Sequence, residues 1–406
     1  MADDSPRRST FYYKLGSSTV PPIESNAIGK GPVPSVLVIS ASFGGGHDMA
    51  ARRLTDRLSA LGLASRRLDL LDLLPTGLGP TMRTGYRIQL GLIPSSWTWL
   101  CGVTRHGQSS RVADWLVRLA GDRVRAAVTE DTVAVVSTYP LASQMLGALR
   151  RRGELAVPVA TMLTDVAVHP LWIADGVDAH LVPHPTAARA AQRLGASDVT
   201  VCAPMVSAEF RPAEPGEQRV ARKAFGLPTT GPLALIVTGS WGVGHFIRSA
   251  REVAATGVAT PVVACGHNSR GRLALRMSGT GHALGWTDDM PALMRACDVV
   301  LHSGAGISTV EALASGRPVL TYRPLPGHGA DIAAALQRAR LAPWITTPDR
   351  LASGLTAALR RGPAVWPDGA DAATVVAELS VRPGAAEVPA PRSAPVLAGA
   401  KHAVTG

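Results

Sequence analysis

The sequence predicts an α/β chain of two doubly wound domains facing each other across a cleft, and two stretches carry that prediction. The first covers residues 301–320 and reads as strand, glycine-rich turn, helix, turn, strand. Asp298-Val299-Val300-Leu301 is short and apolar, as a parallel strand buried on both faces is. Gly304 and Gly306 punctuate its end, and Ile307, Val310, Leu313 and Ala314 share one face of the helix that follows. The second stretch, Ser42-Phe43-Gly44-Gly45-Gly46-His47, is the same kind of turn in the other half of the chain. It joins a strand over 36–40 to a helix expected over 48–61, with Ala50, Ala51, Leu54, Leu58 and Leu61 on one face. Folds of this class bind ligands beyond the carboxyl ends of their strands, so two such turns predict a two-sided site.

At 406 residues the chain is long enough for two domains, each with its own core. An apolar share of 46% and a charged share of 17% are those of a globular protein. No run reaches the roughly 20 apolar residues that cross a bilayer. Met1-Ala2-Asp3-Asp4-Ser5-Pro6-Arg7-Arg8 has no apolar stretch after its charges, so a secretory signal is not expected. Cys101, Cys202, Cys265 and Cys297 stand far apart without a CxxC pair, which fits buried thiols in a reducing cytoplasm. Lysine and arginine number 41 against 30 acidic residues, a net charge of +11. That excess suits anionic lipid, phosphorylated substrates or nucleic acid; without a zinc finger, an RNA-recognition signature or a basic helix repeat, nucleic acid is the weakest of the three.

Residues 1–32, rich in Ser, Pro and charge, are expected as a disordered tail. A first domain is expected over 33–205, with strands at 133–138 and 157–163 and a helix at 141–151. The pattern loosens near Ala203-Pro204-Met205, and Arg211-Pro212-Ala213-Glu214-Pro215-Gly216 marks a linker over 206–217. A second domain is expected over 218–380. It opens with a strand at 233–237 and the turn Thr238-Gly239-Ser240-Trp241-Gly242-Val243-Gly244-His245, and it ends beyond the 301–320 unit. Residues 381–406, rich in Ala, Pro and Gly, are expected as a second disordered tail.

The helix after Ser303 would present free backbone N–H groups, the positive end of its dipole and the hydroxyls of Ser303, Ser308 and Thr309 to an anion, which makes a phosphate cradle. Ser308-x-x-Glu311 also fits a capping box, in which the glutamate folds back on the helix start and binds nothing. His47 follows three glycines and precedes a helix, where it has no core to fill, so it is a functional candidate. Asp165 stands at the carboxyl end of the strand over 157–163, with His169 just beyond; the alternative is that these two only hydrogen-bond each other. His169, His180 and His184 lack the carboxylate or cysteine that completes a usual spacing, so no metal site is expected. Between residues 81 and 127, Arg83, Arg87, Arg105, Arg111, Arg118, Arg123 and Arg125 face only Asp114 and Asp122, and 7 − 2 gives +5. They surround an apolar segment with Trp97 and Trp99. Such a surface suits an anionic membrane face; in the other reading the tryptophans pack inside and the arginines are merely solvated.

These motifs taken together resemble a known family. They are Ser42-Phe43-Gly44-Gly45-Gly46-His47, Leu163-Thr164-Asp165 with His169-Pro170-Leu171-Trp172, and Cys265-Gly266-His267-Asn268. To them belong Gly285-Trp286-Thr287-Asp288-Asp289-Met290, the 301–320 stretch through Gly316-Arg317-Pro318, and Pro326-Gly327. Their order and spacing resemble the GT-B glycosyltransferases that include monogalactosyldiacylglycerol synthase, the processive diacylglycerol glucosyltransferases and the lipid II-forming N-acetylglucosaminyltransferase. The likeness spans most of residues 34–360.

The resemblance implies two Rossmann-like domains, the C-terminal one holding a UDP-sugar and the N-terminal one receiving an acceptor. The backbone around Trp286 and Thr287 would face the uracil, and Glu311 would hold the ribose hydroxyls. Ser303, Gly304, Gly306, Ser308 and Thr309 would hold the diphosphate, with Gly239 and Ser240 also on the donor side. His328 and Asp331 would stand at the sugar. Gly44, Gly45, Gly46 and His169, with Trp97 and Trp99, would meet the acceptor, and His47 or Asp165 would take its proton as the anomeric carbon inverts. No metal or cofactor is implied, the UDP-sugar being a co-substrate.

The implied enzyme is an inverting hexosyltransferase. It would pass a hexose to a diacylglycerol-like or polyprenyl-linked lipid while lying, as a cytoplasmic protein, peripherally on the inner face of the cell membrane. Where relatives carry Pro-Gly-Gln-Glu and, two residues later, Asn, this chain has Pro326-Gly327-His328-Gly329-Ala330-Asp331-Ile332, so the motif does not fix the sugar. A same-fold transferase acting on a soluble molecule, a UDP-sugar 2-epimerase and a catalytically silent nucleotide-binding protein are the alternatives.

Overall fold

The computed structural model describes residues 33–43, 45–92, 109–303, 306–325 and 328–381, with the side chains of 86–92, 109–110 and 328 left outside that description. The expected tails, Gly44, Trp97, Trp99, Gly304 and the Pro326-Gly327 pair lie outside the described residues.

Two six-stranded sheets, both wholly parallel, organise the chain. The first runs β2-β1-β3-β4-β5-β6 and the second β12-β11-β10-β7-β8-β9. In the first sheet these are β1 Ser35–Ser40, β2 Ala64–Asp69, β3 Thr132–Ser137, β4 Val159–Met162, β5 Ala179–Val182 and β6 Val199–Val201. In the second they are β7 Leu233–Val237, β8 Thr260–Ala264, β9 His282–Leu284, β10 Val299–His302, β11 Val319–Tyr322 and β12 Trp344–Ile345. Each strand order reverses once, between β1 and β3 in the first sheet and between β7 and β10 in the second. Connections from neighbouring strands diverge at those points and leave a crevice, which is where open α/β sheets receive ligands.

The strands read as unbroken apolar runs because successive side chains enter different cores. Leu37 and Ile39 of β1 join one cluster, while Val36 and Val38 join another on the opposite face. Leu235 and Val237 of β7 divide from Ala234 and Ile236 in the same way. The period of two within a strand sends alternate residues to opposite faces, and both faces are covered. Each fully buried Val, Leu or Ile contributes about 1.5–3 kcal/mol of transfer free energy.

Helix Gly45–Ala60 begins three residues earlier than the sequence suggests, so Gly45 and Gly46 lie inside its first turn rather than in a tight loop. Ala50, Ala51, Leu54 and Leu58 are its buried face, as expected, and Leu61 is exposed just past its end.

The last described helix, Ala372–Ser380, departs from the expected domain limit at 380. Ala372, Ala373, Val375, Val376 and Leu379 pack with Val36, Val38 and Leu54 of the first domain. The strand-like pairing of Ala370 with Cys202 beside β6 brings the chain back. Ala203 N–H donates to Ala370 O at 2.8 Å, and Arg57 Nη1 lies 2.8 Å from Asp371 Oδ2. Asp371 itself caps the helix through the Thr374 N–H. The apolar face of this helix belongs to the first sheet, so the second domain ends before it and the chain crosses between domains twice. The linker expected over 206–217 is partly absorbed by the second domain, whose core receives Val206 and Phe210.

Leu379→Ala is expected to lower the unfolding free energy by about 2–5 kcal/mol in urea denaturation. The accompanying loss of hydrogen-exchange protection should fall on β1 and β3 rather than on the second sheet.

Candidate functional site

The crevice of the first sheet holds His47. Its Nδ1 lies 2.8 Å from the carbonyl oxygen of Thr138, which follows β3, and 3.3 Å from Thr164 Oγ1, which follows β4. Thr138 Oγ1 donates back to the His47 carbonyl at 3.2 Å. A carbonyl oxygen can only accept, so Nδ1 carries the proton and Nε2 is the basic nitrogen of the ring. Tyr139 packs edge-on against the imidazole at 5.1 Å between centroids, and Trp172 lies tilted beside it at 5.9 Å. The imidazole is thus fixed in tautomer and in plane by residues that follow two strands, β3 and β4.

His169 is occupied differently. Its Nδ1 accepts the Leu171 N–H at 3.2 Å and caps the short turn Pro170–Trp172. His184 caps helix Pro185–Arg193 through the Thr186 N–H, burial lowering its pKa, and His180 is buried with Nδ1 3.0 Å from the Ser197 carbonyl. The three histidines serve three separate local structures. Among the described residues no group of three His, Cys, Asp or Glu side chains is arranged to hold a metal ion.

The second domain meets this crevice with helix Gly306–Ala314, which starts directly after the β10 turn. Asp165 of the first domain lies against its first residue. A Cβ on Gly306 would stand 1.8 Å from Asp165 Oδ1 and 3.0 Å from its Cγ, so only glycine admits the carboxylate there. A carboxylate at a helix N-terminus is favoured by the free N–H groups and by the dipole. Ile307 Cγ2 comes 3.9 Å from where a Cβ of Gly46 would stand, so the beginnings of the two glycine-led helices converge.

This register corrects two expectations for the helix. Ser308 is its third residue rather than its cap, so Ser308 and Glu311 do not form a capping box. Thr309 is fully buried and lies 3.3 Å from Nε2 of His302, which also lies 3.0 Å from Thr321 Oγ1. It therefore serves the core rather than a phosphate, and Ser308 is buried as well. Burial holds the pKa of His302 down at about 4, so the end of β10 is neutral. Ser303 is half-buried at the strand end, its carbonyl accepting the Leu325 N–H at 2.8 Å.

Glu311 sits one turn further along the helix, half-buried. Desolvation pushes its pKa up to about 7, while Arg53 on the opposing helix Gly45–Ala60 pulls the other way. Arg53 was not singled out in the sequence; its place on the cleft follows only from the way the two helices meet.

The remaining donor-side candidates border the second crevice. Gly239 and Ser240 follow β7, and Gly266 packs so closely beneath them that a Cβ there would lie 2.5 Å from both of their carbonyl oxygens. The Trp286 ring is half-exposed, stacks on His267 at 4.5 Å and 10°, and donates through Nε1 to Asp288 Oδ1 at 2.9 Å. Thr287 Oγ1 accepts the Asp289 N–H at 3.2 Å. Both side chains serve the turn, and the expected contact at 286–287 is one of backbone. His328 and Asp331 lie in the first turn of helix His328–Arg338, with Asp331 half-buried.

The arginine-rich surface divides. Arg83 bonds Ser42 and pairs with Asp69 and Asp72, Arg123 donates to the Leu73 carbonyl, and Arg125 pairs with Asp122 and Glu154, so these three are built into the domain. Arg111 and Arg118 are exposed on helix Ser109–Ala127, with Trp115 between them, 39% exposed. Spacings of four and three place the three residues on one helical face. Nothing local in the sequence marks Trp115, which lies outside the apolar segment that carries Trp97 and Trp99.

Residues 47–203 match the family described as Monogalactosyldiacylglycerol (MGDG) synthase. The chain is 24% identical over 330 residues to the processive diacylglycerol beta-glucosyltransferase of Bacillus thuringiensis (strain Al Hakam), covering 75% of this chain and 80% of that protein. The protein of the same name from Bacillus pumilus (strain SAFR-032) is 25% identical over 202 residues, and there the alignment spans 48% of this chain and only 52% of the relative. Among solved structures, Arabidopsis thaliana UGT89C1 complexed with UDP-L-rhamnose superimposes with a TM-score of 0.50 at 12% identity, covering 81% of this chain and 91% of that one. That likeness is one of fold, the two-sheet GT-B arrangement.

Glu311 holds its proton more tightly in the folded protein, near pH 7, than in the unfolded chain, near its ordinary 4.5. Burial of the ionised form therefore costs stability progressively from about pH 4.5 upward, and in full above 7. Glu311→Gln should be more stable than the unaltered protein at pH 8, by up to about 3 kcal/mol, and nearly equal to it at pH 4. Urea denaturation at the two pH values measures this; a difference that does not change with pH would contradict the burial of Glu311.

Proposed function

With residues 47–203 as a domain of the monogalactosyldiacylglycerol synthase family on a GT-B glycosyltransferase scaffold, we propose that this chain transfers a hexose from a UDP-sugar to the hydroxyl of a diacylglycerol-like lipid, inverting the anomeric carbon. The observation that carries this reading is the meeting of the His47 crevice with the start of helix Gly306–Ala314, against which the Asp165 side chain lies. The name of the Bacillus relatives favours a glucosyl donor and a diacylglycerol acceptor.

In this reading the donor lies along the carboxyl edge of the second sheet. The uracil meets the backbone at 286–287 beyond β9, and the diphosphate meets Ser303 and the Gly306 helix beyond β10. Three strand spacings separate these ends, roughly 14 Å, a span that suits an extended nucleoside diphosphate. Glu311 accepts from the ribose hydroxyls, a carboxylate for a diol. The diphosphate displaces Asp165 from the helix start, since both are anions suited to the same N–H groups.

The anomeric carbon then faces His47. Nε2 takes the proton of the acceptor hydroxyl as its oxygen bonds to the anomeric carbon. The bond from that carbon to the β-phosphate oxygen breaks on the opposite side, and its electron pair leaves with UDP. The two converging helix starts oppose the charge that develops there. Asp165, freed from Gly306, stands one residue from Thr164 and so close to the imidazolium that forms.

A lipid acceptor calls for a membrane surface. The exposed Arg111-Trp115-Arg118 face supports peripheral docking on anionic lipid, an indole at the interface between two cations. Among the described residues no helix is long and apolar enough to cross a membrane.

Calorimetric titration with UDP and a turnover assay separate the two halves of the site. Glu311→Ala should weaken UDP binding about tenfold or more, the loss of a charge-assisted hydrogen-bond pair. His47→Ala should leave UDP affinity within about twofold and lower turnover by about 10²–10⁴. Unchanged UDP affinity in Glu311→Ala, or full turnover in His47→Ala, would overturn the corresponding role.

A further inference from the structure

Strand β11 delivers the chain into Arg323-Pro324-Leu325, the approach to helix His328–Arg338. Arg323 has a φ of +47°, in the left-handed region that L side chains rarely adopt. It also precedes a proline, whose ring drives the preceding residue toward extended backbone. Two local preferences are therefore overridden at one position, and such strain persists only where the surroundings over-determine it.

The surroundings are Glu252 of helix Phe246–Ala255. Its Oε2 lies 2.6 Å from Arg323 Nε and its Oε1 2.6 Å from Arg323 Nη2, a bidentate pair whose members are each about one-fifth exposed. Tyr322 donates its hydroxyl to Oε2 at 2.7 Å, Arg248 Nε stands 3.1 Å from Oε1, and the Arg323 guanidinium lies 5.3 Å from the Tyr322 ring centre. Two residues on, the Leu325 N–H is fastened to the Ser303 carbonyl at the end of β10. A Cβ on Gly329 would stand 3.2 Å from that same carbonyl, so the start of helix His328–Arg338 is packed onto the β10 turn.

We propose that Glu252 and Arg323 are positioning residues for the donor-sugar loop: their paired forks hold Arg323 left-handed, and this sets the path that brings Asp331 and the helix start to the sugar. The inference rests on the donor reading given above for its consequence, and on the Glu252–Arg323 pair and the Arg323 backbone for its cause. Desolvation opposes the charge of Glu252, but its hydrogen bonds from Arg323, Tyr322 and Arg248 prevail and hold its pKa at about 2, so the pair is ionised across the working range.

A glycine takes positive φ without a partner, and this separates positioning from simple loss of an ion pair. The variants are Glu252→Gln, Arg323→Gly and the double variant, each in the full chain. Hydrogen exchange at the Leu325 amide reads the loop; titration with UDP and with UDP-glucose reads the site. Glu252→Gln should speed Leu325 exchange and weaken UDP-glucose binding, each about tenfold, with UDP affinity within about twofold. Arg323→Gly should stay near the unaltered protein in all three, and the double variant should recover what Glu252→Gln lost. An unchanged Leu325 amide in Glu252→Gln, or Arg323→Gly as damaging as Glu252→Gln, overturns the positioning role. If Leu325 responds as stated but the unaltered chain gains nothing from the glucosyl group over UDP, the donor-sugar reading falls and the consequence drawn for Asp331 falls with it.

Discussion

The cleft depends on one close approach. Because residue 306 has no side chain, the Asp165 carboxylate of the first domain lies against the first turn of a helix in the second, and the two strand-end crevices share one anion-favouring centre. Everything placed around it follows from where two helices begin. Gly46 and Ile307 come into contact distance because both helices start at the strand ends, and this carries Arg53 and Glu311 to the same cleft from opposite sides. A helix N-terminus favours negative charge, the preference that would also make this seat suitable for a diphosphate.

The electrostatics are arranged by burial as much as by charge. Burial keeps His302 neutral inside the strand end, beside the hydroxyls of Thr309 and Thr321, so its imidazole adds no charge there. Glu311 is only reluctantly ionised because its surroundings are dry, and two ribose hydroxyls would give its charge the hydrogen bonds it lacks water to make. On the other side, His47 is made basic at Nε2 by committing Nδ1 to a backbone carbonyl that can do nothing but accept. In the proposed reading the donor half would rest on backbone and one carboxylate, and the acceptor half on one oriented imidazole.

The sheets were legible because parallel strands buried on both faces read as short apolar runs bounded by turn residues. Residues 298–301 and 36–40 fell within a residue or so of β10 and β1 for that reason. Side-chain direction was not legible. A helix that starts at Gly306 turns Thr309 to the core and takes Ser308 out of the cap, and a shift of two residues in the start reverses both conclusions. Contacts between distant segments left no local signal at all. The return of helix Ala372–Ser380 to the first sheet, the pairing of Arg83 with Asp69, and a left-handed arginine before Pro324 are each decided by a partner far away in sequence. His169 was visible as a polar residue beyond a strand end, and the cap that its Nδ1 makes was not.

In the proposed function the two crevices form one site for sugar transfer to lipid. Its most direct measurement is UDP release from UDP-glucose, followed with diacylglycerol in anionic vesicles, with the same vesicles lacking diacylglycerol, and with a water-soluble alcohol. Release that requires diacylglycerol and yields a β-linked glucosyl lipid is the predicted result. Tight UDP binding without release under any of the three conditions, or equal release with the soluble alcohol, would contradict it.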